Sequence, residues 1–305
     1  YTCDAPSFSY RHLFHGLEYS PIVSYGYDMT LSGRNRLIIL GILWSALILV
    51  VFSFFAVQTF SVFPKISELA KNRSYGFFHS LMIPFLKVHS YTPLISILFC
   101  LLYSFAASIT IFVLFEKTQA PEILFFANFV LSLSLEMSRM AIPLISFYDT
   151  SLTYAVFTGK ILLFSRLFGL FSLFLASIYA AGMEMQRYGI LLILNAAICL
   201  ALASGVPIDS MNWDTALTPL YGFIDMFFLI EATIVGITIL SFFISIKNKS
   251  SKDYVYVSLG ILLVLLGRDI LIHADTLLEP VIAVFILAFG TWMYCKNLHQ
   301  YYLWL

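Results

Sequence analysis

Apolar residues run through this chain in long blocks. They show neither the alternation of a half-buried strand nor the single stripe of a surface helix. A helix needs about 20 mostly apolar residues to cross the roughly 30 Å hydrocarbon layer of a bilayer. Eight blocks reach or approach that length: about 37–63, 93–115, 121–147, 154–181, 188–204, 218–246, 254–273 and 279–297. The fifth is short. The third, fourth and sixth are long enough to tilt or to project beyond the bilayer.

Polar breaks separate the blocks. Glu116–Lys117–Thr118–Gln119–Ala120–Pro121 ends in proline. Ser204–Gly205–Val206–Pro207 opens a loop holding Asp209 and Asp214, and Lys247–Asn248–Lys249–Ser250–Ser251–Lys252 is a short basic turn. Short links make successive helices antiparallel neighbours. The expected fold class is all-α, a polytopic transmembrane helical bundle of about eight spans.

Four regions follow from this pattern. Residues 1–36 form a polar and aromatic N-terminal arm with five tyrosines, suited to a cytoplasmic cap or a partner-binding arm. Residues 37–63 form the first transmembrane helix. Segment 64–92 is an outer linker. Residues 93–305 form a seven-helix bundle with a short C-terminal tail. In the linker, Phe78, Leu81, Met82 and Phe85 recur at helical spacing behind Lys71, Asn72 and Arg73, with Pro84 as a break. An interfacial helix and an ordinary loop both suit that pattern.

Composition sharpens the class. The chain of 305 residues is 60% hydrophobic and only 11% charged. A soluble domain carries roughly 25% charged residues, so this surface is built for lipid. Net formal charge is zero, from 17 basic and 17 acidic side chains. No basic face for nucleic acid follows from that balance. Cys3, Cys100, Cys199 and Cys295 form no CxxC pair, and the last three read as small apolar packing residues.

Lysine and arginine in the loops orient the spans. With the N-terminus in the cytoplasm, the inner set holds Arg11, Arg34, Arg36, Lys117, Arg187, Lys247, Lys249, Lys252 and Lys296. The outer loops after spans three, five and seven carry Asp149, Asp209, Asp214, Asp275 and Glu279 and no Lys or Arg. Segment 64–92, with Lys65, Lys71, Arg73 and Lys87, departs from the rule. Both termini are therefore expected inside, in a bacterial inner (cytoplasmic) membrane.

Charges within the spans are the most informative feature. They cost about 2.5–3.5 kcal/mol each near mid-bilayer on insertion scales, so they face the bundle interior and pair. Span three carries Glu136 and Arg139, three apart on one face. Span four carries Lys160 and Arg166, span six Asp225 and Glu231, and span seven Arg268, Asp269 and His273. Four cations balance four anions, and the set leans toward the outer half. Spans three, four, six and seven are thus expected to share a polar interior. Mutual salt bridges that fix helix packing explain such a set. So does a cavity for a polar ligand, ion or proton, with the arginines favouring an anionic ligand.

Other polar atoms lie on the same spans. Pro143 removes the backbone bond to Arg139 and is expected to bend span three. Asn128, Ser132, Ser134 and Ser138 on span three and Asn195 on span five suit bonds across helices. Tyr294, Tyr301, Tyr302 and Trp304 read as an interfacial belt.

Catalytic signatures are absent: there is no HExxH, GxSxG, GxxxxGK[ST] or GxGxxG. No cofactor is implied. The last span holds no central lysine for retinal, only Lys296 at its cytoplasmic end. His273, Asp269, Asp275 and Glu279 could supply a divalent cation at the outer mouth, but without the usual ligand spacing.

Three functions suit these residues. The first is a non-enzymatic receptor or sensor module, or a subunit of a membrane complex, with membrane or cytoplasmic protein partners. The second is a transporter using Glu136, Glu231 and Asp269 as proton or cation carriers. The third is an intramembrane enzyme on lipid-linked substrates, with Glu136 or Asp269 as base and the arginines on phosphate. The lipid bilayer is a partner in all three.

Overall fold

In lipid, each backbone N–H and C=O must be satisfied within its own segment, so the apolar blocks become helices. The computed structural model describes residues 31–69, 89–118, 120–182, 188–249 and 251–303. In order, α1 is Leu31–Thr59, α2 Phe63–Leu69, α3 Thr92–Phe115 and α4 Pro121–Ser132. A 3-10 segment, Leu133–Met140, leads into α5, Ala141–Tyr148. Then come α6 (Thr153–Ala180), α7 (Tyr188–Gly205), a hairpin of β1 (Ile208–Trp213) and β2 (Pro219–Tyr221), α8 (Ile224–Lys249), α9 (Lys252–Ile272) and α10 (Leu278–Leu303). Eight helical spans, with α4 through α5 counted as one, are long and apolar enough to cross a bilayer. The chain is an all-α polytopic bundle and an integral membrane protein.

Successive spans alternate in direction, so links gather at two ends. The hairpin lies at one, called here the hairpin end. At the other, Glu122 of α4 meets Lys249, Tyr254 and Tyr302 from the ends of α8, α9 and α10. That is the Glu122 end, where the described chain both begins and finishes.

Burial divides the spans. The run Pro121–Tyr148 and α6 are mainly buried, while α1, α7 and α8 turn most of their surface outward. The closest pair is α9 with α10. A Cβ on Gly260 would stand 2.8 Å from the Tyr294 nitrogen, and one on Gly267 2.9 Å from the Leu287 nitrogen. A Cβ on Gly290 would stand 2.9 Å from the Gly260 carbonyl. Without a hydrophobic drive between helices in lipid, small residues that let backbones touch supply the packing energy.

The first helix departs from the expected 37–63. It starts at Leu31, inside the stretch read as polar arm, and ends at Thr59, before the short α2. Its polar first turn has a partner. The Arg34 guanidinium donates to the Thr118 carbonyl at 2.5 Å and to that of Phe115, and Asn35 donates to Glu116 O at 2.9 Å. These are orphan carbonyls at and just beyond the end of α3, where a cation is favoured. The remainder of the arm, and Phe78 to Phe85 of the proposed interfacial helix, lie outside the described residues.

The sixth span was expected from residue 218 but begins at Ile224. Leu220 and Tyr221 are apolar and read as span, yet Pro219 removes a helix donor. The segment instead folds back as the hairpin. Asp214 and Thr218 bond each other's backbone, with Asp214 N to Thr218 O at 3.0 Å. The Asp214 carboxylate accepts from Thr218 N at 2.6 Å. Leu217 adopts φ 58° to close the turn.

The tyrosine belt is also revised. Tyr294 is fully buried, its ring 4.5 Å from that of Phe126. Tyr301 and Tyr302 turn toward Lys249 and not only toward the membrane surface. Trp304 lies outside the described residues.

Candidate functional site

Span three changes winding where its charges lie. Pro143 has no N–H to give the Arg139 carbonyl four residues earlier. The chain tightens into the 3-10 segment just before it. Side chains three apart eclipse in such a helix, which sets Glu136 directly beside Arg139. Arg139 Nε lies 2.9 Å from Glu136 Oε2. Arg166 of α6 approaches the same carboxylate from across the bundle, Nε to Oε1 at 3.0 Å and Nη2 to Oε2 at 3.3 Å. All three side chains are buried.

One carboxylate therefore serves two guanidinium groups. At about 3 Å and an effective dielectric of about 20, each contact supplies roughly 5 kcal/mol of attraction. Three charges cost roughly 8–10 kcal/mol by insertion scales, and the arginines repel each other. Pairing alone only about breaks even. Hydrogen bonds to the remaining donors decide the balance.

Those bonds come from three directions. Arg139 donates to the Ile272 carbonyl at the end of α9 at 3.3 Å and to Ser96 Oγ of α3 at 3.2 Å. It also donates to the Ala216 carbonyl at 3.2 Å, and Arg166 donates to Thr218 Oγ1 at 3.1 Å. Ala216 and Thr218 form the hairpin turn. That turn is pushed into the bundle: Asp214, Ala216, Leu217 and Thr218 are all buried, and Leu217 packs in a cluster with Phe52, Ile97 and Met140. The hairpin is a plug over the charge cluster. The space beside Arg166, between Gly159, Leu163 and Pro219, does not admit a water molecule.

The remaining predicted residues are dispersed. Arg268 of α9 is buried and reaches the cluster through the Arg166 carbonyl at 3.5 Å. Its Nη2 lies 3.9 Å from Glu231 Oε1 of α8, a loose pair with Glu231 23% exposed. Asp269 points away from this interior. Its side chain is 65% exposed and pairs with His273 at 3.3 Å, one turn on. Lys160 donates to the Ser204 carbonyl at the end of α7 at 2.9 Å. Asp225 is exposed at the start of α8. The four spans do contact one another through Glu136, Arg139, Arg166, Arg268 and Glu231, while Lys160, Asp225, Asp269 and His273 sit outside that set.

Some of the polar residues on the spans bond across helices, while Asn128 Nδ2 and Ser138 Oγ find no hydrogen-bond partner among the described residues. Trp44 donates to Ser134 Oγ at 3.1 Å, Ser165 to the Ser132 carbonyl at 2.5 Å, and Asn195 to Ser172 Oγ at 3.0 Å. The conceivable divalent site at the outer mouth does not assemble. Glu279 turns its carboxylate back to Asp275 N and Thr276 N, at 2.7 and 3.1 Å, and caps α10. Among the described residues no three His, Cys, Asp or Glu side chains converge as a metal would require.

A second polar cluster was missed by sequence reasoning. Glu122, in the first turn of α4, is 1% exposed. It accepts from Tyr302 Oη at 2.7 Å and Tyr254 Oη at 3.1 Å, and pairs with Lys249 at 3.5 Å. The Lys249 ammonium also lies 4.2 Å from the Tyr254 ring centre and 5.0 Å from that of Tyr301. An acid directly after the helix-starting Pro121 reads as a loop boundary. The available signal was depth: Glu122, Lys249, Tyr254 and Tyr302 all fall at the same predicted membrane face. The chain matches no family model, no curated protein and no solved structure.

Proposed function

We propose that this chain is a non-enzymatic receptor, or a sensor subunit of a membrane complex, whose hairpin reports events at one membrane face to the helices. The observation that carries this reading is the pair of contacts from Arg139 to Ala216 and from Arg166 to Thr218. Through them a loop at the surface is bonded to a charge cluster that ties α3, the 3-10 segment, α6 and α9. Moving the hairpin removes acceptors from two buried guanidinium groups, and the helices must respond.

Loop charge supports an orientation with the hairpin end outside and both termini in the cytoplasm, in a cytoplasmic membrane. The N-terminal arm and the Glu122 end then face cytoplasmic partners. The seven spans from residue 93 form the sensing unit, with α1 docked on α3 through Arg34. The transport alternative is weaker on these contacts, because Glu136 is committed to two arginines and is not poised to exchange a proton. The enzyme alternative needs room for a substrate beside Glu136, and that space is filled by the hairpin turn.

Two measurements test the reading. Proteoliposomes carrying the full chain are expected to show no proton, sodium, potassium or chloride flux above protein-free vesicles. Flux that Glu231→Gln with Asp269→Asn abolishes overturns the receptor reading in favour of transport. A spin label at Met211→Cys, exposed on β1, is expected to gain mobility in Arg166→Gln relative to the same label in the otherwise unchanged protein. An unchanged spectrum removes the proposed coupling.

A further inference from the structure

Toward the Glu122 end, side chains of α3 and α10 line a partly open groove of about 580 Å³. Ile109, Val113, Leu114 and Leu303 give it apolar walls, and Lys296, His299 and Gln300 give it polar groups from α10. It is separate from the charge cluster under the hairpin. We infer that this groove binds one anionic phospholipid, with an acyl chain along the apolar wall and the headgroup phosphate at Lys296.

Lys296 carries the argument. With 26 residues, α10 is about 39 Å long at 1.5 Å per residue, against a hydrocarbon layer of roughly 30 Å. Lys296 lies seven residues before Leu303, in the polar last turns of the helix that hold Asn297, His299 and Gln300, so it sits near the hydrocarbon boundary. A lysine at that depth extends its stem toward the headgroups to keep its ammonium wet. Lys296 instead folds over Trp292, with Nζ 4.7 Å from the ring centre. Trp292 is one turn deeper and lines the same groove.

The cation is thus held within the groove, and no carboxylate lies within ion-pair distance of it among the described residues. An aromatic face offsets part of the desolvation of an ammonium. A phosphate arriving from the adjoining leaflet offsets the rest. Groove shape selects the remainder of the ligand, because the walls beyond Lys296 are hydrocarbon and suit an acyl chain. A free phosphate makes no use of them. His299 is fixed in the groove by Phe115, ring centres 5.6 Å apart, and its Nδ1 lies 3.4 Å from Thr118 Oγ1. Gln300 adds an amide donor at the same level.

The test is native mass spectrometry of the full chain released from nanodiscs of phosphatidylcholine mixed with phosphatidylglycerol. Preferential retention of phosphatidylglycerol is expected. Removing one interfacial cation reduces the preference roughly fivefold, so Lys296→Gln is expected to lose that much and Lys296→Arg to keep the preference. Val113→Trp, which fills the apolar wall from an exposed position, is expected to reduce retention of both lipids. Equal retention of the two lipids, or a preference that Lys296→Gln leaves intact, overturns the inference. A further arm adds glycerol phosphate without acyl chains. Displacement of the lipid by that small anion at matched concentration would mark a free-anion site and also overturn it.

Discussion

Arg166 and Glu136 form a two-point fork inside the bundle, with Nε 3.0 Å from Oε1 and Nη2 3.3 Å from Oε2. The fork joins α6 to the 3-10 segment of span three. Arg139 shares the same carboxylate, so losing Glu136 leaves two guanidinium groups facing each other in a water-poor interior. Glu136→Ala is expected to cost about 3–5 kcal/mol of stability, as removal of one partner from a buried pair does. The double variant Glu136→Leu/Arg166→Met, in an Arg139→Met background, is expected to recover much of that loss, since none of the three clustered charges remains. Unfolding in mixed detergent, followed by circular dichroism, checks both.

The hairpin plug depends on Asp214 as much as on the arginines. Its carboxylate accepts from Thr218 N at 2.6 Å and shapes the turn that carries Ala216 and Thr218. Asp214→Ala is expected to cost about 1–3 kcal/mol by leaving a buried N–H without that partner. Hydrogen exchange is expected to rise in residues 206–222 first and to spread to the Ile272 end of α9. A rise confined to the hairpin would show that the plug is not coupled to the helices.

Close contact between α9 and α10 leaves no room for added side chains. Gly260→Val would bring methyl groups against the Tyr294 backbone, already 2.8 Å from an ideal Cβ. Overpacking of this kind costs about 1–3 kcal/mol, and at a backbone contact the upper end applies. Gly236 of α8 has open space around it, so Gly236→Ala is the control and is expected to leave stability unchanged or slightly higher. Thermal unfolding in nanodiscs distinguishes the two.

At the Glu122 end, Lys249 is held by one carboxylate and flanking tyrosine rings. Lys249→Met removes the cation and leaves Glu122 with only hydroxyl partners. Glu122→Gln removes the anion. Each single change is expected to destabilise the bundle, and the double change to cost less than their sum, with a coupling of about 0.5–3 kcal/mol. Additive losses in a double-mutant cycle would show that the two groups do not interact.

Much of this architecture is legible in the sequence because lipid imposes a simple rule. Backbone groups must be satisfied inside each crossing segment, so length and apolarity locate the spans to within a few residues. The misplaced starts of α1 and α8 mark where the rule weakens. Arg34 looked like arm because its acceptors, the carbonyls ending α3, lie 81 and 84 residues away. Residues 218–221 read as span because composition does not record that Pro219 and the Asp214 turn fold them back.

The candidate site was legible only as an inventory. Intramembrane charge is expected to be buried and paired, so the sequence gathers Glu136, Arg139, Lys160, Arg166, Asp225, Glu231, Arg268, Asp269 and His273 into one interior set without separating them. Tertiary structure decided which of them meet. The rotation of each helix about its axis sets the direction of a side chain, and that rotation follows from packing across distant segments. It turned Asp269 outward beside its neighbour Arg268, sent Lys160 to a helix end, and gave both arginines to Glu136. It also brought the hairpin over them, because two buried guanidinium groups need more acceptors than one carboxylate supplies and the Ala216–Thr218 turn provides them.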